Sequence, residues 1–172
     1  GEGFSGARQQ ARWAIGNIAA CDEDEVKKGL FKHEGLIAGL VEILGQKGSD
    51  YHQAREHALG AIMNIAHGDM EVKKGLFKHE GLIDGLIEIA GLTGNEDEFA
   101  RAYAVWAMNN IADGDDEVKA GLFHFPGLMT RIEGILLDAT LNGTDMKRGA
   151  TWLASKLLQW QRRDSVTLTF KT

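Results

Sequence analysis

The chain has 172 residues, a formal net charge of −6 and a pI near 5.5. That length is one ordinary domain, able to bury a core unaided. The acidic balance argues against broad nucleic-acid binding, and no apolar run approaches the ~18 residues that a membrane span needs. A single cysteine, Cys21, excludes an internal disulfide framework and a Cys-rich zinc site. No secretory h-region stands near the start, so the expected location is intracellular, cytoplasmic or nuclear. The anomaly is glycine: 22 residues beside a single proline, Pro126, against a usual share of ~7%.

Residues 1–6 read as a flexible N-terminal segment. Their GEGFSG matches G-x-G-x-x-G by letter but follows no strand, which removes the dinucleotide-loop meaning. Residues 7–19, ARQQARWAIGNIA, open a helical-repeat domain predicted over 7–162. Helices are predicted next over 24–33, 34–46 and 52–66. The first starts acidic and carries Val26, Leu30 and Phe31 at helical spacing. The second has Leu36, Ile37, Leu40, Val41 and Leu44 on one stripe. The third turns Ala58, Ile62 and Ile65 inward. Gly35 makes the turn between the first two. QKGSD (46–50) precedes the third, with Asp50 a candidate N-cap and Gln53 three residues on.

The same set then recurs. Residues 71–91 repeat 25–45 at a shift of 46, with differences only opposite 38, 41 and 44, and a third copy starts at Glu117. The third-helix segment returns over 54–66 and 100–112, and in degraded form over 146–158; Asn95, with Glu98, is the N-cap candidate of the second gap. The domain therefore divides into a half-unit 7–21 and units 22–67, 68–113 and 114–162. A tail, 163–172, follows, whose SVTLTF alternation is too short for a sheet. A fixed period of this length implies a stacked array in which each unit buries its face against its neighbours.

One short helix, one longer helix and a third, repeated every forty-odd residues, resembles an armadillo array. The implied fold is all-α, a right-handed superhelix of about three and a half repeats. The segments W-A-I-G-N-I-A from Trp13 and W-A-M-N-N-I-A from Trp106 are similar to the W-A-x-x-N-I-A third helix of importin-alpha-type armadillo proteins. The resemblance implies a concave groove lined by third helices. There, Asn amides bond the backbone of an extended peptide and Trp rings frame slots for its side chains. Carried onto this sequence, the rungs are Asn17, Asn64 and Asn110, and the slot walls are Trp13, Trp106 and Trp152. Gly60 stands where a further Trp is expected, and Lys156 where a fourth Asn is expected.

The residues support this independently. Trp and Asn at i and i+4 share one helix face, and an amide offers both a donor and an acceptor to a peptide backbone. Trp faces add cation–π contacts for Lys or Arg. Ile15 and Ile18 are expected on the other face, packed inward. Gln10, His57 and Tyr103, seven residues before each Asn, extend the same face, and His67 and Asp113 follow three after. The competing structural role is that these Asn residues only tie adjacent units together through backbone carbonyls.

Other motifs have plainer readings. His33 and His79 are copies of one surface residue, too far apart across stacked helices to share a metal, and no HExxH or cysteine ligand set exists. The acidic runs 22–25, 96–98 and 113–117 mark helix starts, where carboxylates favour the positive end of the dipole. Lys27/Lys28 and Lys73/Lys74 are expected on a solvated surface. Arg8, Arg55, Arg101 and Lys147 recur in register and either bridge units or touch a ligand. Asn142-Gly143-Thr144 is a sequon read as a turn. Ten of the glycines, Gly29/Gly75/Gly121, Gly35/Gly81/Gly127, Gly39/Gly85 and Gly45/Gly91, are locked to the repeat. Gly35 and Gly81 are assigned to turns, and Gly39 and Gly85 to close helix packing.

The function expected from these readings is non-catalytic. The chain would hold an extended peptide or protein segment on its groove, a basic one being the refinement that the acidic balance suggests. It would need no cofactor and no metal, and have no nucleic-acid or membrane partner. The alternative is a structural segment of a larger scaffold, with end-to-end self-association and no groove ligand.

Overall fold

A computed structural model describes residues 14–21, 23–94, 97–141 and 143–169. Residues 14–19 form α1. Then follow α2 (Asp24–Lys32), α3 (Leu36–Leu44), α4 (His52–Ile65), α5 (Met70–Lys78), α6 (Leu82–Ala90), α7 (Glu98–Ile111), α8 (Asp116–Phe123), α9 (Leu128–Leu137) and α10 (Asp145–Thr169). Single 3-10 turns, Ser49–Tyr51 and Ala139–Leu141, lead into α4 and α10. No strand occurs among the described residues. The architecture is an all-α solenoid. Like stacks on like: α2 on α5 on α8, α3 on α6 on α9, and α4 on α7 on α10.

The turn between the first two helices of each triad is built by glycine. Gly35, Gly81 and Gly127 have φ of 76°, 74° and 79°, the left-handed region where a Cβ is strained. A continuous core then runs along the array, with Ala58, Ile62, Ile65, Leu82, Leu86, Ile111 and Leu128 at zero exposure.

Capping differs from the sequence expectation. The N-cap of α4 is Tyr51, not Asp50, and makes no side-chain cap bond, because a 3-10 turn absorbs Asp50. Asn95 lies outside the described residues. The N-cap of α7 is Asp97, whose carboxylate accepts from Arg55 instead of from the helix. Side-chain caps occur on α5 and α8, where Asp69 accepts from Val72 N at 3.0 Å and Asp115 from Val118 N at 3.2 Å.

The repeated lysines do not form a solvated face. Lys27 is buried, and Lys73 and Lys119 donate to the carbonyls of Gly68 and Gly114 that follow α4 and α7. Burial pushes Lys73 below the usual lysine value. Lys28 reaches Asp69 at 3.3 Å and Glu71 at 2.7 Å, and Lys32 reaches Glu71 at 2.9 Å. One triad on, Lys74 holds Asp115 at 2.6 Å and Glu117 at 3.3 Å, and Lys78 holds Glu117 at 2.8 Å. These pairs join the helix starting one triad to that starting the next. A 46-residue period places like helices side by side, so lysine on one meets the acidic first turn of the other.

Two packing expectations are overturned. At Gly39 an added Cβ would meet nothing within 4 Å, and at Gly85 only an ordinary contact with Leu44 at 3.4 Å, so neither is a close-packing site. Gly75 and Gly121 are tight instead: their Cβ positions are filled by the rings of Phe31 and Phe77 from the preceding triad. Ile18 is not packed inward: it is 51% exposed, whereas its counterparts Ile65 and Ile111 are fully buried. No described helix precedes α1 to cover it. Residues 163–169 of the tail continue α10 as helix. Among the described residues there is no strand for 165–169 to pair with, so extension has nothing to gain.

Candidate functional site

The candidate surface is carried by α1, α4, α7 and α10. Trp13 and Gln10 lie outside the described residues. Asn17 is exposed, Asn64 is half-buried and Asn110 is buried. Each of the later rungs reaches back one helix. Asn64 Nδ2 donates to Gly16 O at 3.3 Å, and Asn110 Nδ2 donates to Met63 O at 3.0 Å. Lys156, at the fourth rung position, donates through Nζ to Asn109 O at 3.1 Å. In every case the acceptor is the carbonyl just before the preceding rung. Met63 O and Asn109 O lie in the last turns of α4 and α7, where the backbone leaves acceptors unfilled, whereas Gly16 O also accepts from Ala20 N at 3.0 Å. The rungs therefore sit in strict register, and the Asn64 and Asn110 amides each commit one N–H to the array.

Four of the expected residues converge. Asn17, His57, Asn64 and Tyr103 line one hollow of about 290 Å³, together with Gly16, Ala20, Glu56, Gly60 and Met63. The missing Trp explains the hollow. A Cβ added at Gly60 would stand 3.9 Å from Cε2 of Tyr103, so that ring leans over the space left by the absent side chain. Glu56 puts a carboxylate on the wall; it was not among the sequence candidates, and its i, i+4 spacing to Gly60 was the available signal.

Trp106 and Trp152 meet separately, further along the array. Their rings are 5.4 Å apart at 82°, an edge-to-face pair. Trp152 is 57% exposed and Trp106 half-buried, so one ring stands free and the other supports it. Beyond them the surface changes character. Lys156 pairs with Asp113 at 2.6 Å, which places a cation where an amide was expected. Asn110 and Asn109 lie deeper than a peptide-facing row would, and Asn109 Oδ1 is buried without a partner.

Of the register-locked cations, Arg55 and Lys147 tie the fold together. Arg55 donates to Gln46 O at 3.0 Å, to Gly48 O at 3.3 Å and to Asp97 at 2.8 Å in a buried pair, and Lys147 donates to Asp138 O at 2.9 Å. Among the described residues no group of three or more His, Cys, Asp or Glu is placed to hold a metal ion, and no helix is long and apolar enough to cross a membrane.

No protein-family model matches the chain, and no curated protein does. Solved structures do. A designed armadillo repeat protein in complex with the peptide (KR)4 superposes with a TM-score of 0.73 at 25% identity, over 95% of this chain and 66% of its own. The fold is an armadillo-like solenoid. Computationally designed armadillo repeat proteins for modular peptide recognition superpose at 0.71 with 26% identity, over 86% of this chain and 57% of theirs. Another designed armadillo repeat protein superposes at 0.70 with 23% identity, over 89% and 63%. The chain thus spans less than two thirds of the length of these armadillo structures.

Proposed function

We propose that the chain is a non-catalytic binding module that holds an extended peptide or protein segment against its third helices, as importin-alpha-type armadillo proteins do. The observation that carries this reading is the convergence of Asn17, His57, Asn64 and Tyr103 on one hollow beside a register-locked row of amides. The half-buried Asn64 keeps a second N–H and its carbonyl oxygen for a ligand backbone, whereas Asn110 lies deeper. The Trp106–Trp152 pair supplies an apolar wall one step along. A basic segment is the favoured ligand: Glu56 lines the hollow, the chain carries −6, and a similar designed array is described with a (KR)4 peptide.

Asn17 offers the cleanest test, because it is exposed and makes no hydrogen bond among the described residues. Anisotropy titrations would compare the chain with Asn17→Ala, using fluorescent (KR)4 and a Gly/Ser peptide of equal length. Loss of one backbone bond, at ~0.5–1.5 kcal/mol, weakens binding about 2–10-fold. Equal affinity of the two proteins refutes the groove. Equal affinity for the two peptides removes the basic refinement.

A further inference from the structure

The two ends of the array are chemically unlike. Every junction between triads has a donating half and a receiving half. The donating half is Lys, Phe and Lys on the first helix: Lys28, Phe31 and Lys32, then Lys74, Phe77 and Lys78. The receiving half has an acidic pair at the helix start, a glycine seat for the ring, and three apolar residues beneath. In α5 and α6 these are Asp69, Glu71, Gly75, Val72, Leu76 and Leu82, the last three at zero exposure. Asp115, Glu117, Gly121, Val118, Leu122 and Leu128 repeat the set.

The first triad carries the receiving half complete and, among the described residues, unused. Glu23 and Glu25, in register with Asp69 and Glu71, are exposed and pair with no cation among the described residues. A Cβ at Gly29 would meet nothing within 4 Å. Val26, Leu30 and Leu36 are only half-buried, and beside them Ile18 is 51% exposed. The opposite end has lost the donating half. Ala120 and His124 replace the lysines, and Phe123 is covered by Trp160 at 5.9 Å between ring centroids.

We propose that the face formed by Ile18, Glu23, Glu25, Gly29 and Leu36 docks a further helical repeat of this chain's own kind. That repeat presents Lys, Phe and Lys at i, i+3 and i+4. The two lysines meet the glutamates and the ring fills the seat at Gly29, as the two internal junctions already do. The last triad of a second copy is not the occupant, since it offers neither lysine, and identical chains do not associate end to end through this face. The inference concerns the end of the array and is independent of the groove.

The test inserts a copy of residues 68–113 between Cys21 and Asp22 of the full chain, which puts Lys74, Phe77 and Lys78 opposite the open face. Hydrogen exchange is read on the original 22–36 peptide, distinguishable by its Asp22–Asp24 start. Protection there should rise at least about tenfold over the parent chain. Reversing both lysines of the inserted copy to Glu should abolish the gain, and adding Glu23→Lys and Glu25→Lys should restore it. No gain with the native copy, an inserted copy that stays unfolded, or equal gain with the reversed copy overturns the proposal.

Discussion

The same substitution should have opposite signs at two positions that the sequence makes identical. Gly29 and Gly75 both sit in the segment KKGLFK, mid-helix, 46 residues apart. Replacing an exposed helical glycine by alanine gains up to ~1 kcal/mol of backbone propensity. At Gly29 the new methyl meets nothing within 4 Å, so Gly29→Ala should gain that amount. At Gly75 it would stand 2.7 Å from Cε1 and 2.8 Å from Cε2 of Phe31, and closer still to Cζ. The ring must therefore swing away. Leaving its rotamer costs ~0.5–1.5 kcal/mol, and because the ring is only half-buried, giving up its burial costs about half of the ~1.5–3 kcal/mol of a fully buried one. The propensity gain offsets only part of this, so Gly75→Ala should be destabilising by ~0.5–2 kcal/mol.

Urea unfolding followed by circular dichroism measures both. The decisive variant is Phe31→Ala, which empties the seat. In that background Gly75→Ala should become stabilising by ~1 kcal/mol, giving a coupling energy of ~1.5–3 kcal/mol across the junction. If Gly75→Ala raises the midpoint of the parent chain as much as Gly29→Ala does, or if Phe31→Ala leaves its sign unchanged, the ring-in-seat junction is refuted.

Three further outcomes follow from the contacts between triads. Asp97→Ala strands Arg55, whose pair is 7% and 10% exposed, and should cost ~3–5 kcal/mol by the same assay; Arg55→Met with Asp97→Leu should recover most of it. Asp115→Ala removes a helix cap and should cost ~1 kcal/mol, whereas Asp115→Asn keeps the acceptor for Val118 N and should lose clearly less. In acid, Glu71 and Glu117 are held below the usual 4.5 chiefly by Lys28 and Lys78, Asp69 below 3.8 chiefly by the Val72 N–H, and Asp115 below 3.8 chiefly by Lys74. Their folded values are depressed, so the stability they add is complete above the ordinary carboxylate values and is lost as pH falls through the lower folded ones. Lys28→Ala with Lys74→Ala should therefore raise the acid-unfolding midpoint, and added salt should shrink the difference between variant and parent.

The helices were legible because each one declares itself locally. Predicted spans of 24–33, 34–46 and 52–66 became Asp24–Lys32, Leu36–Leu44 and His52–Ile65, since the apolar stripes and Gly35 fix both period and turn. Most of the misassignments share one cause: they depend on what lies across a junction. Lys28 looks solvated until α5 brings Glu71 to 2.7 Å, and Gly75 looks like its copy Gly29 until Phe31 arrives. Ile18 belongs to the same apolar pattern as Ile65, yet nothing described in front of α1 covers it. Asp50 satisfies the capping pattern, but a 3-10 turn moves the cap to Tyr51. For the site, the rung register could be read from the sequence. The hollow could not, because it comes from Tyr103 leaning over the place of a side chain that Gly60 lacks.

Tying units together and bonding a peptide are compatible roles for the rungs. Were Asn64 only a ligand contact, its amide would be held by solvent and its direction left free. The bond from Nδ2 to Gly16 O fixes the amide plane against the preceding helix, and Met63 O does the same for Asn110. A fixed amide loses less rotamer freedom when a peptide arrives, which lowers the ordering cost of binding. The carbonyl acceptors recur with the helix ends, so the spacing of the row is set by helix stacking rather than by the ligand. Lys156 keeps the bond to the array but has no acceptor to offer a peptide N–H. On the proposed reading the row of paired donors and acceptors therefore stops at Asn110, and a bound segment passes from backbone recognition to the exposed face of Trp152.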